Sequence, residues 1–317
     1  MSDGARVSDG VYLVDKPKGL SSHDVVGRMR RVLGRRDVGH AGTLDPMATG
    51  LLVVLAGEAT KLSAYLTADD KAYAARVILG SATASLDADS PRLEHSALSA
   101  ELRDEFSRPF CARKAPILFE ALEHESVRTR QVPPVVSAIH IDGQRAYKRV
   151  LKGEVPEMPA REVHMRSVNY VAHGTDADGD AWLDVELRVG KGYYVRAFAR
   201  DIAERLGTLG HLSALRRLQS GMFRIEHART LEDPASVKST RISVHDAASR
   251  CMPVWALSEE EARRVRNGIK LPILVALTDP YVAATDHNGA LVAVLGPTED
   301  GTKMRILRGF TSTGSAH

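Results

Sequence analysis

The sequence predicts an α+β fold in which helices flank a long central sheet, followed by a small β-rich C-terminal module. Three observations predict it. Strand-like stretches are of two kinds: Leu51-Leu52-Val53-Val54-Leu55 is a continuous apolar run, whereas residues 71–79 alternate and place Tyr73, Ala75, Val77 and Leu79 on one face. Between them lie helices with recognisable starts and stops, one buried stripe being Val25, Met29 and Val32 and another Phe198, Ile202 and Leu206. From about Trp255 onward, short β-rich runs follow one capped helix. With 317 residues, 44% hydrophobic and 26% charged, the chain can bury a full core in one large domain plus a small one.

Taken in order, the first helix begins near Ser21, which forms a capping box with Asp24. Its inward stripe leaves Arg28, Arg31 and Arg35, three and four residues apart, on the outer face, with Arg30 and Arg36 beside them. Such a basic face is either solvated or free to meet phosphate. The loop Gly39-His40-Ala41-Gly42-Thr43-Leu44-Asp45-Pro46-Met47-Ala48-Thr49-Gly50 follows and leads into the apolar run. Three glycines and a proline predict a rigid turn at the edge of a buried strand, with Asp45 held in it. A lone Asp-Pro pair reads as a turn cap; a fixed carboxylate with few local competitors also suits covalent or acid–base chemistry.

Next come Gly57-Glu58-Ala59-Thr60-Lys61 and the alternating strand carrying Tyr73. Residues 89–155 read as an inserted subdomain, with a helix near Ser99 to Phe106 and a basic, turn-rich run through Arg128, Arg130 and Pro133-Pro134. At Val189-Gly190-Lys191-Gly192-Tyr193-Tyr194-Val195-Arg196 a strand turns through two glycines into a helix that runs to about Leu206, stopped by Gly207. Arg196 falls in the first turn, where the helix dipole disfavours a cation, so a carboxylate or phosphate should compensate it. In the tail, Ser258 and Glu261 form a second capping box, the helix ends at Asn267-Gly268, and β runs are expected at Tyr281–Thr285, Ala290–Leu295 and Met304–Leu307.

Cys111 and Cys251 are far apart and have no histidine cluster near them, so neither a disulfide framework nor a zinc site is expected, and a reducing cytoplasm fits. Met1 to Gly10 has no apolar signal core, and no run approaches the roughly 18 apolar residues of a membrane helix. No internal repeat and no glycine-rich phosphate or dinucleotide loop is present.

The GHAGTLDPMATG loop, the GEATK segment, the KAY strand and the GKGYYVR turn, in that order, resemble the bacterial tRNA pseudouridine synthases of the TruB type, which isomerise the T-loop uridine at nucleotide 55 of tRNA. The resemblance runs from about Val11 to Phe223, opening with Val14-Asp15-Lys16-Pro17-Lys18-Gly19-Leu20-Ser21-Ser22 and closing with Gly210-His211-Leu212-Ser213-Ala214-Leu215-Arg216-Arg217-Leu218. It implies a pseudouridine synthase catalytic domain over residues 10–250 with a long mixed, mainly antiparallel sheet. The 89–155 insertion would grip the tRNA arm, through Ser137-Ala138-Ile139 and Ala146-Tyr147 among others. Residues 255–312 would form a PUA-like domain touching the acceptor side, with Arg305 and Arg308 as candidate phosphate contacts.

By the same resemblance Asp45 is the nucleophile, acting on the uracil ring or the ribose of a flipped-out nucleotide. Tyr73 stacks on the base and serves in proton removal from C5, and Arg196 pairs with the aspartate. Tyr194, Leu218, Lys61 and His40 line or hold the substrate, and Arg28 and Arg31 meet phosphates. Isomerisation breaks a C–N bond and rejoins the uracil through carbon, so no metal, cofactor or redox step is called for. The base must be extruded and stacked on an aromatic ring, which contributes about 1–3 kcal/mol. The partner is the tRNA T-arm stem-loop, with no membrane and no obligate protein partner, the chain acting as a monomer in the cytoplasm. A net charge of +3 requires RNA affinity to come from local patches. The chain departs from the family pattern over Arg108 to Arg130 and at Tyr193, where a threonine is usual. The competing readings are a non-catalytic tRNA-binding or folding module and a guide-RNA-dependent synthase.

Overall fold

The computed structural model describes residues 9–67, 70–108, 115–137, 140–141, 144–145, 157–273 and 279–311. The chain opens with β1 (Gly10–Lys16), α1 (Ser22–Leu33), β2 (Val38–His40) and β3 (Thr49–Ala56). A 3₁₀ turn at Gly57–Leu62 and the short α2 (Ser63–Thr67) lead to β4 (Lys71–Leu79). A hairpin of β5 (Ser81–Thr83) and β6 (Arg92–His95) precedes α3 (Ala100–Ser107) and α4 (Pro116–Ser126). Short strands β7 (Arg130–Gln131), β8 (His140–Ile141), β9 (Gln144–Arg145) and β10 (Arg161–Glu162) pair as β7 with β10 and β8 with β9. Then follow β11 (Met165–Thr175), β12 (Ala181–Val189), α5 (Val195–Arg205), β13 (Gly210–Ser220) and β14 (Phe223–Arg224).

The central sheet runs β1-β3-β13-β4-β12-β11, with β2 on β3 and β14 on β13. Every pairing is antiparallel except β13 against β3, which matches the mixed, mainly antiparallel sheet expected. After α6 (Pro234–Ser239) and α7 (Val244–Ser249), a second, five-stranded sheet contains β15 (Val254–Ala256), β16 (Leu271–Pro272), β17 (Val282–Thr285), β18 (Leu291–Pro297) and β19 (Lys303–Gly309), with α8 (Glu259–Arg266) against it. The β runs and both capping boxes fall where the sequence placed them.

The contrast between the two strand patterns has a packing cause. On β1 and β3, Tyr12, Val14, Leu52 and Val54 face the core shared with α1 and α5, while Val11, Leu13, Leu51, Val53 and Leu55 face a second core. That second core takes Ala247 and Ala248 from α7 and Ala283, Leu291, Val294 and Phe310 from the C-terminal sheet. Strands buried on both sides read as unbroken apolar runs, whereas β4 keeps the period of a strand with one favoured face. The C-terminal module, with a further core of its own around Leu257, Val265, Val282 and Leu295, is thus packed on the back of the large domain.

One expectation changes here. The helical part of the segment read as an insertion belongs to the main core, where Leu102 and Phe106 of α3 and Leu118 and Leu122 of α4 are buried against β11. The buried Glu105 accepts the amide protons of Ile117 and Leu118, at 3.1 and 2.9 Å, and so caps α4, whose first residue is a proline. Of the expected arm-gripping motifs, Ala138-Ile139 and Ala146-Tyr147 lie outside the described residues.

Three side chains hold the loop between β2 and β3. Arg217 on β13 is 1% exposed, and its guanidinium donates to the carbonyls of Leu51 (2.7 Å), Gly42 (3.1 Å) and Thr43 (3.3 Å). Lys16, at the end of β1, is fully buried and donates to Leu20 (2.7 Å), Pro17 (3.1 Å) and Pro46 (3.3 Å). Ser22 accepts from the Leu44 amide at 2.8 Å and donates to the Leu44 carbonyl at 3.0 Å. Burial pulls the Lys16 ammonium below its ordinary pKa, with Asp45 acting in the opposite direction. At Gly50, with φ +97, the backbone of Arg217 lies where a Cβ would stand, so β3 and β13 can approach only with glycine there.

Two outcomes test this framework. Replacing Arg217 by Met strands three buried carbonyls and should cost about 3 kcal/mol, read as a lowered urea midpoint. His211 on β13 is buried and donates through Nδ1 to the Ser81 carbonyl at 3.0 Å; burial lowers its pKa from the ordinary 6.5, as it does for His40. The unfolded chain therefore takes up protons first. Stability should be complete above about pH 6.5 and fall as the pH is lowered through it, by at most about 1.4 kcal/mol per unit for each histidine. H211Q, which keeps a donor but cannot titrate, should flatten that slope in urea unfolding at pH 5 and pH 7.

Candidate active site

Asp45 sits on the anchored loop with its side chain 36% exposed, so it is fixed from behind and open in front. The compensating charge expected at the start of the Arg196 helix is this carboxylate: Arg196 Nε lies 2.9 Å from Asp45 Oδ2. Arg196 is itself buried, at position two of α5, after an N-cap residue, Tyr194, that makes no side-chain cap. Its remaining nitrogens donate to the carbonyls of Ser85 (2.9 Å) and Val136 (3.0 Å), and Nη1 lies 3.5 Å from the carboxylate of Asp87. The guanidinium therefore reaches Asp45 along one edge only, which sets the direction of the carboxylate.

Asp87 is a member of the site that the sequence reading missed. It is 4% exposed and takes hydrogen bonds from Ser85 Oγ (2.6 Å) and the Asp89 amide (3.1 Å). The turn between these residues passes through Leu86 at φ +60, the single non-glycine residue with positive φ among the described residues. That strain, of order 1 kcal/mol, turns both the Ser85 carbonyl and the Asp87 carboxylate toward Arg196. Nothing in the local pattern marked Asp87, because its role comes from a guanidinium 109 positions later in the chain.

Tyr73 lies on β4, 9% exposed, on the sheet face that also carries Leu44 and Met47 of the Asp45 loop. Beside it β13 is irregular: Arg217 pairs with Tyr73 and Gln219 with Ala72, so Leu218 is an extra residue in a β-bulge. A bulge resets the pleat and re-aims a side chain, here that of the half-buried Leu218. Tyr194, half-buried, packs on Met158, as Val135 also does, and burial pushes its hydroxyl above the ordinary range.

The remaining expected site residues are distributed differently. His40 is half-buried at the end of β2, its Nδ1 without a hydrogen-bond partner among the described residues; burial, then Arg217 and His23, lowers its pKa. Arg28 and Arg31 are exposed on α1. Lys61 is engaged elsewhere. It pairs with Glu58 (2.7 Å), donates to the Gly309 carbonyl (2.9 Å) and lies 5.5 Å from the ring centre of Phe310, while Glu58 accepts from the Thr311 amide (2.9 Å). Expected as a lysine near the site, it joins the 3₁₀ turn to the end of the C-terminal sheet. Arg128, expected on a basic run, is paired bidentately with the fully buried Glu125 at 2.6 Å.

The arrangement is one carboxylate aimed by a buried guanidinium and facing solvent. Such a pair can act as a nucleophile or relay a proton. Among the described residues no group of three or more His, Cys, Asp or Glu could hold a metal ion, and no helix is long and apolar enough to cross a membrane.

A family profile described as "TruB family pseudouridylate synthase (N terminal domain)" matches residues 30–195. A protein named tRNA pseudouridine synthase B from Thermobifida fusca (strain YX) is 42% identical over 273 residues, 84% of this chain and 87% of the relative. One of the same name from Arthrobacter sp. (strain FB24) is 40% identical over 295 residues, 90% and 92% of the two chains. Among solved structures, a chain of a Cbf5-Nop10-Gar1 complex aligns with a TM-score of 0.69 at 20% identity over 96% of this chain and 86% of that one. A chain of an H/ACA RNP bound to a substrate RNA containing 2'-deoxyuridine aligns with a TM-score of 0.67 at 19% identity over 95% and 85%. These two structures show the shared fold, and the profile and the sequence relatives go further: the chain belongs to the TruB family of pseudouridylate synthases.

Proposed function

We propose that the chain converts uridine 55 in the T loop of tRNA to pseudouridine, with Asp45 as nucleophile on a flipped-out nucleotide. The observation that carries the reading is the Asp45–Arg196 pair at 2.9 Å, its carboxylate open to solvent on a loop immobilised by buried side chains. The names of the sequence relatives support tRNA as the substrate. In this reading the target base leaves the stack and lies against Tyr73 and Leu218, with Tyr194 and His40 closing the pocket. Asp45 forms a transient bond to the nucleotide as the C1′–N1 bond breaks. The uracil rotates, C5 bonds to C1′, the bond to Asp45 breaks and frees the carboxylate, the C5 proton is removed with help from Tyr73, and N1 takes up a proton. Atoms and electrons balance without a cofactor.

The T-arm stem-loop is held in part by the exposed Arg28 and Arg31 on α1. The C-terminal sheet acts as a PUA-like domain toward the acceptor side, offering the exposed Arg305 and Arg308 of β19. The protein works as a monomer in the cytoplasm.

Incubation of the purified chain with an unmodified tRNA transcript, followed by chemical derivatisation and mass spectrometry, should yield a single T-loop pseudouridine. D45N should lower turnover by more than about 10³-fold while tRNA binding persists; retained turnover would remove Asp45 from the chemistry. Y73F keeps the ring and loses the hydroxyl, and should slow the reaction about 10²-fold. A near-normal rate in that variant would leave Tyr73 as a stacking platform only.

A further inference from the structure

The helix that carries Arg196 owes its placement to groups outside the site. Tyr194 at its N-cap offers no side-chain cap, and the Tyr194 amide donates instead to the side-chain oxygen of Gln131 on β7, at 2.9 Å. Gln131 is 2% exposed. Since the donor is a backbone N–H, the Gln131 oxygen must face α5 and its NH₂ must face away. Tyr193, the position that departs from the family pattern, lies near Gln131, Glu125, Asp201 and Arg128, but neither its hydroxyl nor the Gln131 NH₂ has a hydrogen-bond partner among the described residues. Glu125 is locked by Arg128 at 2.6 Å, and Asp201 by Arg200 at 2.6 Å. The segment that begins at Gln131 touches the helix twice more: the Val132 carbonyl accepts from Arg200 at 2.9 Å, and the Val136 carbonyl from Arg196 itself at 3.0 Å.

We propose that Gln131 is a positioning residue for Arg196. Gln131 contacts neither Asp45 nor the Arg196 guanidinium among the described contacts; it fixes the backbone of the first turn from which Arg196 projects. Losing that bond frees an otherwise uncapped helix start and lets the guanidinium drift relative to Asp45. A displacement well under an ångström matters for a reaction governed by orientation. The effect belongs in the chemical step and not in tRNA affinity. The inference rests on the assignment of Asp45 and Arg196 to the chemistry.

The test compares single-turnover pseudouridine formation and tRNA Kd for wild type, Q131M, Q131E and D45N. Q131M matches the size of glutamine but offers no oxygen, and should slow the chemical step about tenfold with Kd within about twofold. Q131E keeps an oxygen within reach of the Tyr194 amide, so most of the rate should return. If Q131M does not fold, Q131N, whose oxygen is withdrawn by one methylene, carries the same comparison. A wild-type rate in Q131M, a loss that Q131E does not recover, or a loss that appears in Kd would overturn the proposal. An active D45N would instead overturn the assignment of Asp45, so the two failures are told apart.

Discussion

The loop that carries Asp45 is backbone whose carbonyls cannot find enough backbone donors, and buried side chains supply them. Arg217 serves Gly42, Thr43 and Leu51, Lys16 serves Pro46, and Ser22 serves both polar groups of Leu44. Taking two cations out of water costs several kcal/mol each, and only charge-assisted bonds to several carbonyls at once offset that. The compensation ties residues from β1, α1 and β13 to one turn. Asp45 is then held by strands on both sides of the loop, and its direction precedes any encounter with a nucleotide.

Arg196 is the second half of this arrangement. A guanidinium at the start of a helix meets an unfavourable dipole, and here two carboxylates and two carbonyls surround it. Because three of its four partners are buried or are backbone, the exposed partner, Asp45, is the one that substrate can reach. The Leu86 turn shows how closely the surroundings are determined, since a leucine would not hold φ +60 without Thr83 and Leu212 bonded on either side of it.

What could be read from the sequence was local. The Ser21 and Ser258 boxes, the alternation through Tyr73 and the stripe through Phe198 and Ile202 each lie within one element, where period and capping carry the information. The Arg196 partner was legible in kind because a helix-start cation needs an anion. Arg217 and Lys16 were not, since a basic residue beside other basic residues reads as surface until its long-range acceptors are known. The anchoring of Lys61 was hidden for a related reason: its acceptor, Gly309, is 248 residues away on a strand of another domain. Asp87, Gln131 and the bulge at Leu218 depend on pairings between distant segments, and α4 was hidden because its cap, Glu105, belongs to a different helix.

The double-sided burial of β1 and β3 carries a consequence for where the protein can be divided. Composition changes near residue 255, and two separate sheets meet there, yet Leu13, Leu51, Val53 and Leu55 find their cover partly in Ala283, Leu291, Val294 and Phe310. A chain ended at that boundary would expose a broad greasy strip running along the first two sheet strands, and such strips drive molecules to cling to one another. The seam is architectural, whereas the unit that stays dispersed in water, and the unit that can be inherited or exchanged intact, includes both sheets.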